Sequence, residues 1–140
     1  MPPLATTLRA LPRVHLAVGI AGVLLFLGSG AWMHFRYDHL RGLDDTTRML
    51  FRSTHIYLLW ASLLNAALGL RSAAAPDGWR ARVAIAGSVL VLVAPVLLIP
   101  GFLQEPFLTD LDRPFTRPAI YAAFGGMLGL LVASVPGREA

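Results

Sequence analysis

Cysteine and lysine are both missing from this chain of 140 residues. Without thiols there is no disulfide, no thiolate metal site and no cysteine nucleophile. Charge is scarce as well: Asp, Glu, Lys and Arg make up 14% of the residues, against roughly 25% in a soluble domain. The sequence holds no glycine-rich phosphate loop, no His-Glu-x-x-His, no paired Glu-x-x-His and no Cys-x-x-Cys-His. A hydrolase triad finds no support, because Ser53 and His55 stand two apart and point away from each other on a helix. No complete catalytic set remains, so the chain reads as something other than an enzyme.

What is present is apolar. Hydrophobic residues make up 56%, and the mean hydropathy is +0.62. They fall into four blocks separated by charge, not into the short alternation that a β-barrel strand requires. Each block is close to the ~20 residues that cross a bilayer as a helix. The expected spans are about 14–35, 53–70, 83–102 and 118–135, joined by interfacial loops at 36–52 and 103–117. The first uncharged run is too long for a signal-peptide core, which usually has 7–15 residues, and reads as a retained helix. The fold class that follows is all-α: one transmembrane domain, a four-helix bundle running up-down-up-down in the bilayer.

Local signals refine the boundaries. Asp44 or Asp45, followed by Thr46 and Thr47, predicts an N-cap for the second helix. Pro76-Asp77-Gly78 predicts a turn. Pro95 predicts a kink in the third helix, Pro100-Gly101 its end, and Pro118 the first turn of the fourth. A short interfacial helix started by Thr109 or Asp110 fits the mixed second loop.

All twelve basic residues are arginine. With the abundance of alanine, leucine and glycine, this composition points to a GC-rich, bacterial genome and hence to the inner membrane. A pI near 10.7 would invite a nucleic-acid reading in a soluble protein. Here the arginines sit singly or in pairs at the ends of apolar blocks, where they anchor helices at the interface. The partner they imply is the lipid bilayer, not nucleic acid. Four spans place six arginines on either side, so basic residues leave orientation open. Acidic residues gather in the two loops opposite the termini and tilt the reading toward cytoplasmic termini.

Two groups of residues could carry function. On the second helix, His55, Ser62, Asn65 and Gly69 fall on one face at about 100° per residue. In lipid such a face turns inward, because lipid cannot satisfy polar groups and small residues let backbones approach. Asn65 and Ser62 serve there as glue between helices or as the lining of a pathway. Gly125 and Gly129, as Gly-x-x-x-Gly with Gly126 beside them, mark a close-packing face on the fourth helix. The second group lies at one membrane surface, where topology brings His34 and His55 together with Asp38 and His39. Imidazoles with a carboxylate suit zinc, copper(II) or non-haem iron, and His34 with His55 alone suits the axial pair of a haem b. His15 stands on the terminal side with no second histidine near it and reads as a hydrogen-bonded helix tie.

Three functions follow. The first is an accessory or interaction subunit of a membrane complex, or a self-associating protein, supported by small size, close-packing glycines and the missing catalytic set. The second is a metal- or haem-binding redox or metal-handling protein built on His34 and His55. The third is a small oligomeric transporter or channel lined by Ser62, Asn65 and the Pro95 kink.

Overall fold

The computed structural model describes residues 2–71, 76, 78–108 and 111–135, with residues 2–5 described in backbone only. It is all-helical: α1 spans Pro2–Tyr37, α2 Asp45–Leu70, α3 Gly78–Gln104 and α4 Thr116–Ser134, with a 3₁₀ turn at Glu105–Phe107 before α4. Three of the four helices are long and apolar enough to cross a membrane, within Thr6–Tyr37, Gly78–Phe107 and Thr116–Ser134. The fourth expected span, on α2, falls short. Ser53, Thr54, His55, Ser62 and Asn65 dilute its hydropathy. Leu50, Phe51, Thr54, Leu58, Ala61, Ser62 and Asn65 of this same helix are buried, so protein rather than lipid surrounds its polar side.

The helices are longer than the apolar blocks. α1 begins well before residue 14 and passes through Pro12. α3 passes through both Pro95 and Pro100 and ends at Gln104, not at Pro100-Gly101. A proline inside a helix has no N–H to give the carbonyl four residues back. For Pro95 that carbonyl belongs to Val91, and the Asn65 amide supplies the missing donor at 3.1 Å. α4 starts at Thr116, two residues before Pro118; N–H groups of a first turn have no helical acceptor, so the proline costs nothing there. Asp44 is the N-cap of α2, accepting from the Thr47 backbone N–H at 3.0 Å. Thr109, Asp110 and Asp77 lie outside the described residues, and with them the start of the expected short helix and the middle of the expected turn.

Packing follows from small residues. α1 meets α2 with Leu16 against Gly69, Gly19 against Ala66 and Gly30 near His55, so residue numbers fall on one helix as they rise on the other. A Cβ on Gly69 would stand 2.5 Å from the Leu16 nitrogen, which only glycine avoids. α3 meets α4 where Gly87 and Gly126 face each other: a Cβ on either would come within 2.6–2.7 Å of the other's carbonyl oxygen. The expected Gly-x-x-x-Gly face narrows to one of its three glycines. Gly126 makes the close contact, Gly129 a looser one against Val83, and Gly125 opens outward with nothing near it, since one residue turns the helix by about 100°.

α2 and α3 join the two pairs through a core of Leu58, Ala61, Ala94, Leu98, Ala119 and Ala123. A second cluster, Met33, Leu40, Phe51 and Phe102, closes the end of the molecule bearing the 38–44 connection. Among the described residues the backbones of α1 and α4 are not neighbours.

Candidate functional site

Polar side chains inside the molecule collect in two places, one at each end. At the end with the 38–44 connection, Glu105 is completely buried. Its Oε1 accepts from the backbone N–H groups of Phe115 (2.9 Å) and Thr116 (2.7 Å). These are free donors at the start of α4, where the helix dipole favours a negative charge. Its Oε2 accepts from the Thr116 hydroxyl (2.6 Å) and from Arg113 Nε (3.2 Å). Arg113 Nη2 reaches on to Thr54 Oγ1 on α2 at 2.5 Å, and its guanidinium lies 5.9 Å from the Tyr57 ring centre. Gly101 leaves room for this: a Cβ there would stand 2.9 Å from Thr116 Oγ1. The cluster fastens α2, α3 and α4 together, and both carboxylate oxygens are occupied by two donors each.

At the opposite end stands Asn65, with no exposed surface. Its Nδ2 donates to the Ala61 carbonyl (2.9 Å) on its own helix and to the Val91 carbonyl (3.1 Å) on α3. Both amide protons are thereby spent, and Oδ1 faces His15 Nδ1 on α1 at 2.7 Å. Since Oδ1 only accepts, His15 Nδ1 must carry the proton. In the uncharged ring Nε2 is then a bare lone pair. His15 is 3% exposed, and Nε2 has no hydrogen-bond partner among the described residues. His15 also forms part of the wall of a cavity of about 690 Å³, to which all four helices contribute.

Of the residues expected at the membrane surface, His34 and His39 form a pair, while His55 and Asp38 each find other partners. His34 and His39 are exposed, with their Nδ1 atoms 3.2 Å apart and rings edge to face. His55 belongs elsewhere: its Nδ1 stands 3.0 Å from Ser29 Oγ, and its ring stacks on Phe26 at 4.0 Å. Asp38 lies 3.8 Å from Arg41, both exposed. Among the described residues no three His, Asp or Glu side chains stand close enough to hold a metal ion. The set His34, Asp38, His39 and His55 is therefore not assembled. The backbone supplies the reason. Asp38, His39 and Leu40 all take left-handed φ values of 43°, 59° and 66°, a conformation that non-glycine residues rarely adopt. Burial of Leu40 among Met33, Phe51 and Phe102 holds this turn, which folds His39 back on His34 and away from His55.

Ser62, expected on the inward face, is buried there and donates to the Leu58 carbonyl of its own helix. Asp45 pairs with Arg48 at the start of α2. The role of Arg113 is invisible in one dimension, since it stands in a polar loop with no motif around it. His15 is the hydrogen-bonded helix tie expected of it, but its partner is not visible in the sequence. The signal for His15 is present but indirect: an asparagine and a proline on other helices, at depths only a fold can compare. Comparison with protein families, with curated proteins and with solved structures found no match for this chain.

Proposed function

We propose that the chain is a small bacterial inner-membrane protein, its four helices up-down-up-down with termini on the cytoplasmic side, acting as an accessory subunit of a membrane assembly. One observation carries this reading: the interior polar groups of Glu105, Arg113, Thr54, Thr116 and Asn65 bond to one another or to backbone. They hold helices together, and among the described residues they leave no interior constellation poised for bond-breaking chemistry. Outside, α4 presents Tyr121, Phe124 and Leu128 around the open Gly125, and all three large side chains are more than 60% exposed. Small and aromatic residues together suit either lipid or the close approach of another helix. Native mass spectrometry of the protein released from its own membranes in mild detergent tests the reading. A stoichiometric protein partner, lost in Gly125→Leu, supports it; a bare monomer under all release conditions counts against it.

A metal-handling role draws on one distance. Two imidazole nitrogens on a shared tetrahedral cation, each ~2.0–2.1 Å from it, stand about 3.3 Å apart; His34 and His39 already hold their Nδ1 atoms at 3.2 Å. Copper(II) or zinc titration of wild type and His39→Ala, followed by calorimetry, decides that point, with equal heats from both removing it.

A further inference from the structure

The cavity beside His15 belongs to none of the roles above. Its wall is mostly aliphatic, with Leu8 and Leu11 of α1, Leu68 of α2 and Leu130 of α4. At about 690 Å³ it falls within the roughly 300–1,000 Å³ of small-molecule sites. Beside the Ser88 hydroxyl of α3, three polar groups break the apolar lining. Arg9 and Arg71 stand at it, both exposed and in no ion pair among the described residues. The third is His15, whose Nε2 is buried without a partner among those residues and, with Nδ1–H committed to Asn65, can only accept.

A buried acceptor without a donor is costly to keep, and here a ligand is the source that fits. That ligand has to bring a proton for Nε2, negative charge or its equivalent for two guanidiniums, and an apolar body for the leucines. An alcohol supplies the first and third only, an ester the third only. A long-chain carboxylic acid supplies all of them. We propose that this cavity binds a single-chain aliphatic carboxylic acid drawn from the surrounding bilayer, its carboxyl hydrogen-bonded to His15 Nε2 and its charge met by Arg9 and Arg71. The ligand enters as the neutral acid and its proton passes to Nε2, leaving an imidazolium–carboxylate pair whose negative charge faces the two guanidiniums; palmitate added as the anion takes that one proton from the buffer as it binds.

The test uses the full chain in nanodiscs of neutral lipid, titrated with carboxyl-¹³C palmitate. Saturable one-to-one binding is expected, with a shift of the carboxyl resonance and of the His15 Nε2 ¹⁵N resonance from its lone-pair position. The double variant Arg9→Gln/Arg71→Gln, at exposed positions that leave the packing alone, should weaken binding about tenfold or more, the scale of lost charged hydrogen bonds. His15→Phe should abolish it; because that change strands Asn65, the arginine variant and the ¹⁵N signal decide the matter if it misfolds. Methyl palmitate and hexadecanol should each bind at least tenfold more weakly than palmitate. The proposal is overturned by non-saturable uptake in wild type, by equal affinity for methyl palmitate or hexadecanol, or by an unmoved His15 nitrogen at saturation.

Discussion

Asn65 and Pro95 are thirty residues apart in sequence, yet the structure makes one depend on the other. Pro95 removes the N–H that would have bonded the Val91 carbonyl, and Asn65 Nδ2 replaces it at 3.1 Å. Replacing Asn65 with leucine strands two buried groups, the Val91 carbonyl and His15 Nδ1–H. At ~1–3 kcal/mol for each unsatisfied group, the ceiling is about 6 kcal/mol. Interhelical hydrogen bonds in membranes average only ~0.6 kcal/mol, which for two bonds sets a floor of about 1.2 kcal/mol. A loss of about 2 kcal/mol is the expected outcome for Asn65→Leu. The informative measurement is its cost in a Pro95→Ala background. That substitution brings back a backbone donor for Val91, so only His15 is then stranded, and the cost should fall by about half. A coupling of about 1 kcal/mol is therefore expected from the double-mutant cycle, well within the 0.5–3 kcal/mol of contacting residues. Reversible unfolding in mixed detergent micelles, followed by far-UV circular dichroism, supplies the four free energies. If Asn65→Leu costs the same in both backgrounds, the amide is not serving the proline's carbonyl and the reasoning fails.

Other outcomes follow from the same geometry. Gly126→Ala forces a Cβ to 2.6 Å from the Gly87 oxygen and should destabilise by about 1–3 kcal/mol, as overpacking does, while Gly125→Ala, in open space, should leave the isolated chain's unfolding unchanged. Glu105→Gln removes the charge facing Arg113 and presents an NH₂ where only acceptors fit. A loss of about 3–5 kcal/mol, the scale of a broken buried pair, should appear in the same unfolding assay, and a change under about 1 kcal/mol would refute the account of that cluster. The Asp44 carboxylate, held below its usual value by the Thr47 hydroxyl and then by the Thr47 N–H, is ionised at a lower pH folded than unfolded. Its contribution is complete above the ordinary aspartate range near 3.8 and disappears as pH falls through the lower folded value. Unfolding midpoints of wild type should therefore drop in that acid window relative to Asp44→Asn, and parallel curves for the two proteins would show that the cap does not titrate.

Much of the architecture was legible because hydropathy and charge separate so cleanly along the chain. Helix count, the Asp44 cap and the inward face of α2 through Ser62, Asn65 and Gly69 all follow from periodicity and terminal signals. Helix ends were harder to read. Pro100-Gly101 looks like a stop in one dimension, yet α3 runs on to Gln104, because a proline breaks only one bond and surrounding helices can make it good. The Gly-x-x-x-Gly pattern with Gly126 beside it named the right helix but not which glycine makes the contact, since Gly125, Gly126 and Gly129 differ only in which way α4 is turned against α3, and rotation about a helix axis is set by its neighbours.

The histidines show where one-dimensional reasoning stops and why. His34 and His55 share an end of the molecule, as the spans require, but sharing an end is a statement about depth alone. Which ring meets which depends on rotation about two helix axes and on the three left-handed residues at 38–40, none of them glycine. His15 is the converse case. Nothing near it in sequence suggests chemistry, and its partner lies 50 residues away. Its lone pair becomes visible only by following the protons: Pro95 withholds one from Val91, Asn65 spends two on carbonyls, and His15 must spend its own on Asn65. The state of the histidine is thus decided by a proline on a different helix. Restoring the backbone donor by Pro95→Ala would free one amide proton of Asn65 and loosen the constraint on the His15 tautomer. A mixture of the two tautomers in that variant, against a single Nδ1–H form in wild type, is what ¹⁵N spectra of the ring should show, and a single unchanged tautomer in both would break the chain of inference at its middle link.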